Sequence, residues 1–170
     1  MPKPIVAVLM GSDSDLPVVK EALITLEQFN VPFDVRVLSA HRSPEDTVSF
    51  VKKSDKGGVL VFIAAAGGAA HLAGVIAAHT VRPVIGIPIL AKSLGGADSL
   101  YSTVQMPPGV PVATVGINAA KNSALLAIQI LATKDEHLAK QLRLYKQDLQ
   151  KGVREKNTAL NRAGWKKYGN

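Results

Sequence analysis

Short apolar runs rich in β-branched residues alternate along this chain with segments of helical periodicity, and that alternation constrains the fold more than any other feature. The runs cover residues 5–10, 33–38, 59–65, 84–89 and 112–115, each bounded by Gly, Pro or Ser, which is the pattern of short strands. Between the first two, Val19, Ala22, Leu23, Leu26 and Phe29 recur at helical spacing. Val48 and Val51 mark a second helix, opened by Ser43-Pro44-Glu45, where the serine can cap the helix and the proline suits its first turn. Ala124, Leu125, Ala127, Ile128 and Leu131 mark another. Strands that alternate with helices are joined by right-handed crossovers into a mostly parallel sheet covered on both faces. Strands buried in that way read as unbroken apolar runs, as these do. The sequence therefore predicts an α/β fold.

At 170 residues and 47% hydrophobic content, the chain suits one domain with a sizeable core and excludes a disordered one. The expected organisation is a single domain over 1–170, with an α/β core over 1–133 and a basic helix and tail over 134–170. The net charge of +7 is unevenly placed. Residues 1–133 carry 10 Lys/Arg against 9 Asp/Glu, whereas residues 134–170 carry 10 against 4. Only Tyr145, Trp165 and Tyr168 offer aromatic rings in that basic tail, too few for a base-stacking surface, so nucleic acid is not an expected partner. With no Cys, disulfides, thiolate nucleophiles and Cys-ligated zinc all drop out.

Residues 57–81 contain no Lys, Arg, Asp or Glu, a length that could span a membrane. Gly67-Gly68 in the middle, His71 after them and the change from Val/Ile/Phe to Ala read instead as a buried strand, a glycine turn and a buried helix. No membrane span is expected. The apolar run at 5–10 is too short for a secretory signal, which makes the cytoplasm the expected compartment. Near the end, Leu138, Leu142, Tyr145, Leu149 and Val153 form a narrow apolar seam on a charged helix. Such a seam suits a contact between copies of the chain, or docking onto its own domain.

In an open parallel sheet the loops after the strands line the binding crevice. The first loop here is Gly11-Ser12-Asp13-Ser14-Asp15. Its hydroxyls and free N–H groups at a helix start can hold a phosphate, although Ser14 or Asp15 could equally cap that helix. Asp15 suits ribose hydroxyls better than phosphate. The loop is neither a Walker A loop nor a dinucleotide fingerprint, so ATP and NAD are not supported. The second loop is Ser39-Ala40-His41-Arg42-Ser43-Pro44, in which His41 can serve as general acid or base and Arg42 can grip phosphate. The third runs Ala64 to Gly74 and includes Ala66, Gly67, Gly68, His71 and Leu72. Its small residues allow close backbone approach to a ligand and a dry pocket, or close helix–sheet packing. His71 is either a support for the reacting group or a satisfied core residue. His79 and His137 have no catalytic context, and no group of His, Asp and Glu shows metal-ligand spacing. The residues alone lead to a cofactor-free acid–base reaction on a small phosphorylated molecule.

Taken together, Gly-Ser-x-Ser-Asp at 11–15, Ser-Ala-His-Arg at 39–42 and Ala-Gly-Gly-Ala-Ala-His-Leu at 66–72 resemble the N5-carboxyaminoimidazole ribonucleotide mutase family of purine biosynthesis. The run Gly96-Ala97-Asp98-Ser99-Leu100 through Val104-Gln105-Met106-Pro107 resembles a fourth family segment. The likeness covers roughly residues 5–145. Ala73 departs from it, standing where the family usually has Pro, and the chain beyond about residue 150 matches nothing placed by the motifs. The resemblance implies a flavodoxin-like three-layer α/β/α sandwich with strand order 2-1-3-4-5 and a C-terminal helical extension, assembled as a homo-octamer. It implies an isomerase that moves a carboxylate from the exocyclic nitrogen of the ribonucleotide to a ring carbon, without ATP, metal or organic cofactor. It places His41 as the proton carrier and Ala66, Gly67 and Gly68 around released carbon dioxide. Ser12, Ser14, Ser39 and Arg42 fall at the phosphate, Asp15 at the ribose, and Ala40, His71 and Leu72 among the substrate-binding residues. A separate ATP-dependent synthetase would supply the substrate. Two alternatives stay open: the sister carboxylase, which takes carbon dioxide directly, and a non-enzymatic flavodoxin-like nucleotide-binding module.

Overall fold

The computed structural model describes residues 3–169. Five strands form one parallel sheet: β1 (Val6–Met10), β2 (Phe33–Val37), β3 (Val61–Gly67), β4 (Val84–Ile89) and β5 (Ala113–Thr114). Their order is β2-β1-β3-β4-β5. Between and after them lie α1 (Leu16–Gln28), α2 (Pro44–Gly57), α3 (Leu72–Ala77), α4 (Ala97–Val104), α5 (Ala120–Ala132) and α6 (Glu136–Ala163). The chain divides into two compact units, Met1–Leu131 and Ala132–Asn170.

The strand order follows from the connections. The step from β1 to β2 runs in one direction along the sheet, and every later step runs in the other. Right-handed crossovers therefore put α1 on one face and α2, α3 and α4 on the opposite one. The side chains sort accordingly, because successive strand residues point to opposite faces. Ala7, Leu9, Phe62 and Ala64 pack with Val51 of α2 and with Leu72, Ala73 and Ile76 of α3. Val6, Val8, Met10, Ile63 and Ala65, also buried, are left for the face shared by α1 and α5. This is the parallel sheet covered on both faces that the strand–helix alternation predicts, and the flavodoxin-like three-layer sandwich that the family resemblance implies.

Close approach sets one glycine. A Cβ on Gly86 in β4 would overlap the Cγ2 methyl of Thr103 in α4 and crowd Val112 and Ala73. The uncharged stretch of residues 57–81 resolves into β3, a turn and the six-residue α3. Ala73, the departure from the family pattern, is buried in that helix. Among the described residues no helix is long and apolar enough to cross a membrane.

Helix starts depart from the sequence expectation in detail. Ser43 stands at the N-cap of α2 but makes no side-chain cap bond. Its hydroxyl instead accepts from Ser39 N–H at 3.1 Å and lies 3.3 Å from the Ser39 carbonyl. It closes the loop before the helix rather than capping it. Asp15 stands at the N-cap of α1 but makes no side-chain cap bond, and Ser14 lies within the turn before it. Ser12 caps a short 3-10 turn over Asp13–Asp15, accepting from Ser14 N–H at 3.3 Å.

In the second unit, α6 spans 28 residues, with Asp135 accepting from Leu138 N–H at its start. Along the apolar seam Leu138 and Leu142 are buried, while Leu149 and Val153 are 54% and 67% exposed.

Candidate active site

Three strand ends bring the chemistry together. The ladder carries β1 past its last residue: Leu38 N–H donates to Met10 O at 2.9 Å and Gly11 N–H donates to Ala65 O at 3.0 Å. The loops after β1, β2 and β3 therefore leave the sheet side by side. Arg42 then straps two of them, because its Nη2 donates to the Gly11 carbonyl at 2.9 Å. Its own N–H donates to Ser39 Oγ at 3.2 Å. A tight turn from Ser43 N–H to the Ser39 carbonyl at 2.9 Å sets the start of α2.

The three loops enclose a cavity of about 350 Å³. From the first loop come Gly11, Ser12, Ser14 and Asp15, and from the second Ser39, Ala40, His41 and Arg42. The third supplies Ala66, Gly67, Gly68, Ala69, His71 and Leu72. Every site residue expected from the sequence lines this one space. A second crevice, of about 310 Å³, adjoins it on the β2 side around Asp13, Val37 and Ser43, and shares Gly11, Ser12, Ser39 and Arg42.

The two loop histidines meet inside the cavity. His41 Nε2 lies 2.9 Å from His71 Nδ1, with the rings nearly perpendicular at 87° and their centroids 5.0 Å apart. Only one of the two facing nitrogens can carry the proton, since two N–H groups or two lone pairs would repel. The pair forms a proton-bearing unit at the mouth of an uncharged wall of Ala and Gly.

Opposite it, the first loop is a chain of hydroxyls. Ser14 Oγ donates to Ser12 Oγ at 2.9 Å and lies 3.4 Å from Asp15 Oδ1, and Ser12 Oγ donates to Asp13 Oδ1 at 3.3 Å. Asp15 is only 8% exposed, and burial pushes its carboxyl above the usual aspartate range, against the smaller opposing pull of the Ser14 hydroxyl.

The observation that decides the family is a match over most of the chain: a family model described as AIR carboxylase covers residues 5–152. The chain belongs to the AIR carboxylase family. Within it, this family member is 54% identical over 166 residues to an N5-carboxyaminoimidazole ribonucleotide mutase of Pyrococcus horikoshii, covering 98% of this chain and 94% of that relative. It is 47% identical over 167 residues to the protein of the same name from Thermotoga maritima, covering 98% of each. A phosphoribosylaminoimidazole carboxylase of Schizosaccharomyces pombe is 46% identical over 165 residues, but only 30% of that longer protein is covered. Among solved structures, the crystal structure of Treponema denticola PurE superposes with a TM-score of 0.85 at 30% identity, covering 92% of this chain and 98% of that one. The alignment with the Pyrococcus protein reaches well past residue 152. The tail that no motif placed therefore has a counterpart in that relative.

Sequence reasoning missed a fourth contributor from this AIR carboxylase family member. Ile89, Leu90 and Ala91, at the end of β4, also line the cavity. The strand-end rule pointed there, but the run carries no group that does chemistry, so nothing marked it. Leu90 N–H donates to Asn118 Oδ1 at 2.9 Å, and Asn118 adopts a positive φ of 56°. His79 does not line the cavity.

Proposed function

We propose that the protein catalyses the isomerisation of N5-carboxyaminoimidazole ribonucleotide to 4-carboxy-5-aminoimidazole ribonucleotide in de novo purine synthesis. The observation that carries this reading is the convergence of a histidine pair, a hydroxyl loop and an uncharged backbone wall on one cavity. The two mutase relatives, matched over nearly their full length, support it.

The chemistry needs one proton and a compartment. His41 donates a proton to the carbamate nitrogen as the nitrogen–carboxyl bond breaks, which gives aminoimidazole ribonucleotide and carbon dioxide. The wall of Ala66, Gly67 and Gly68 holds the gas beside the ring. The electron-rich ring carbon attacks it, a carbon–carbon bond forms, and His41 takes the displaced ring proton. Proton and carboxylate both balance, and nothing is oxidised or reduced. One group that gives and then takes a proton serves both half-reactions. His71 holds the His41 ring ready through their hydrogen bond until substrate takes its place. Ser12, Ser14, Ser39 and Arg42 anchor the phosphate, and Asp15 the ribose. Ala40 and Leu72 complete the wall around the base.

The same reading makes the protein a cytoplasmic homo-octamer, fed by an ATP-dependent synthetase. The exposed Leu149 and Val153 of α6 offer apolar surface to a neighbouring copy.

The carboxylase reading stands second, because the Schizosaccharomyces relative carries that name. One assay separates the two. Purified protein is given freshly made N5-carboxyaminoimidazole ribonucleotide without ATP or metal, and in parallel aminoimidazole ribonucleotide with bicarbonate. Rapid conversion of the first, with the second needing very high bicarbonate, supports the mutase. The opposite preference moves the protein to the carboxylase branch, and turnover of neither rejects both.

A further inference from the structure

Helix α4 takes hold of two carbonyl oxygens that belong to cavity-lining residues. Ser99 Oγ donates to the Ile89 carbonyl at 2.7 Å. Ser102 Oγ shares its single proton between the carbonyl of Asp98, one turn back in the same helix, and the Gly68 carbonyl at 3.3 Å. The two peptides so held differ in what remains. After Ile89, the Leu90 N–H is already donated to Asn118 Oδ1, so that peptide has no donor left. After Gly68, the Ala69 N–H has no acceptor among the described residues.

That free donor has a defined direction. No peptide bond among the described residues is cis, and a trans peptide points its N–H opposite to its carbonyl. With the Gly68 oxygen drawn to α4, the Ala69 N–H points away from α4, and both residues line the cavity. The orientation is not set by Gly68 itself. It has a positive φ of 61°, and the space around its Cβ position is open. A peptide beside such a glycine can turn over and present its oxygen instead.

We propose that Ser102 is a positioning residue of the isomerisation. By holding the Gly68 carbonyl it aims the Ala69 N–H at the carboxylate being transferred. A carbonyl oxygen in that place would repel the carboxylate and the electron-rich ends of carbon dioxide, whereas an N–H stabilises both. The role concerns retention of the gas between the two half-reactions, and it rests on the mutase reading above.

The test compares wild type, Ser102→Ala, and the near-isosteric pair Ser102→Thr and Ser102→Val. All receive N5-carboxyaminoimidazole ribonucleotide, and both the carbon-carboxylated product and free aminoimidazole ribonucleotide are measured, corrected for spontaneous decay without protein. Loss of one neutral hydrogen bond predicts a fall in kcat of about fivefold in Ser102→Ala. KM should stay within about twofold, and a larger share of turnovers should end as free aminoimidazole ribonucleotide. Ser102→Thr should keep the wild-type partition and Ser102→Val should lose it. A merely structural serine would lower the amount of active protein without changing the partition. If Ser102→Ala does not fold, the Thr and Val pair decides. An unchanged partition in the hydroxyl-free variants overturns the inference while leaving the mutase reading intact. Wild-type protein that converts no substrate overturns both.

Discussion

His41 and His71, 30 residues apart in the chain, share one hydrogen bond of 2.9 Å between Nε2 of the first and Nδ1 of the second. A proton on His41 Nε2 is therefore held by His71 until substrate displaces it. Breaking that bond costs about 1 kcal/mol, little against the gain from a positioned acid.

The two histidines should then differ in weight. His41→Asn removes the proton carrier, and kcat should fall about 100-fold or more, while calorimetry still detects nucleotide binding. His71→Asn removes a support worth about 1 kcal/mol, so kcat should fall about tenfold at most. Full activity in His41→Asn would sink the assignment of the acid.

Asp15 should trade stability for binding. Its carboxyl is held above the ordinary value of 3.8 by burial, so the folded state binds its proton more tightly than the unfolded chain does. Its contribution to stability is complete below 3.8 and falls as pH rises through the raised folded value. Asp15→Asn should therefore be at least as stable as wild type at pH 7, lose that advantage in acid, and show a raised KM. Thermal melts across pH 3–8, alongside steady-state kinetics, check both halves. A lower midpoint at pH 7 would show that the carboxylate supports the fold.

Asp55, which does not line the cavity, behaves in the opposite sense. Arg82 Nε and Thr80 Oγ1 each donate to it at 2.8 Å, and the guanidinium bond above all holds its carboxyl below 3.8. That stabilisation is present above 3.8 and disappears as pH falls through the depressed folded value. Both side chains are partly exposed, so Arg82→Ala should cost only about 0.2–1 kcal/mol at pH 7. Urea titrations at pH 7 and pH 3 should show the difference shrinking in acid.

Gly86 tests the packing of α4 on the sheet. Gly86→Ala places a methyl against Thr103 Cγ2, and such overpacking costs about 1–3 kcal/mol. Adding Thr103→Ser removes the opposing methyl while keeping the hydroxyl that donates to the Ser99 carbonyl at 2.7 Å. The double variant should recover much of the loss in denaturant titrations. Equal instability in the single and double variants would locate the strain elsewhere.

Much of this architecture is legible in order along the chain. Strand runs, helix spacing and the loops at 11–15, 39–42 and 66–72 act over a few residues, and neighbouring side chains determine them through periodicity and turn chemistry. Other features depend on where distant side chains point once the sheet has formed its register. The edge-to-face meeting of His41 with His71, the burial of Asp15 and the reach of Ser102 to Gly68 join residues that no local pattern relates. Ser43 makes the same point at short range, since its hydroxyl serves the Ser39 turn rather than the helix it precedes. Sequence alone determined which loops gather at the sheet's carboxyl edge, because strands joined by helical crossovers run parallel and all end on the same side. Only the tertiary structure decided which atoms within those loops face one another, because a hydrogen bond depends on distances and angles of a fraction of an ångström and a few tens of degrees.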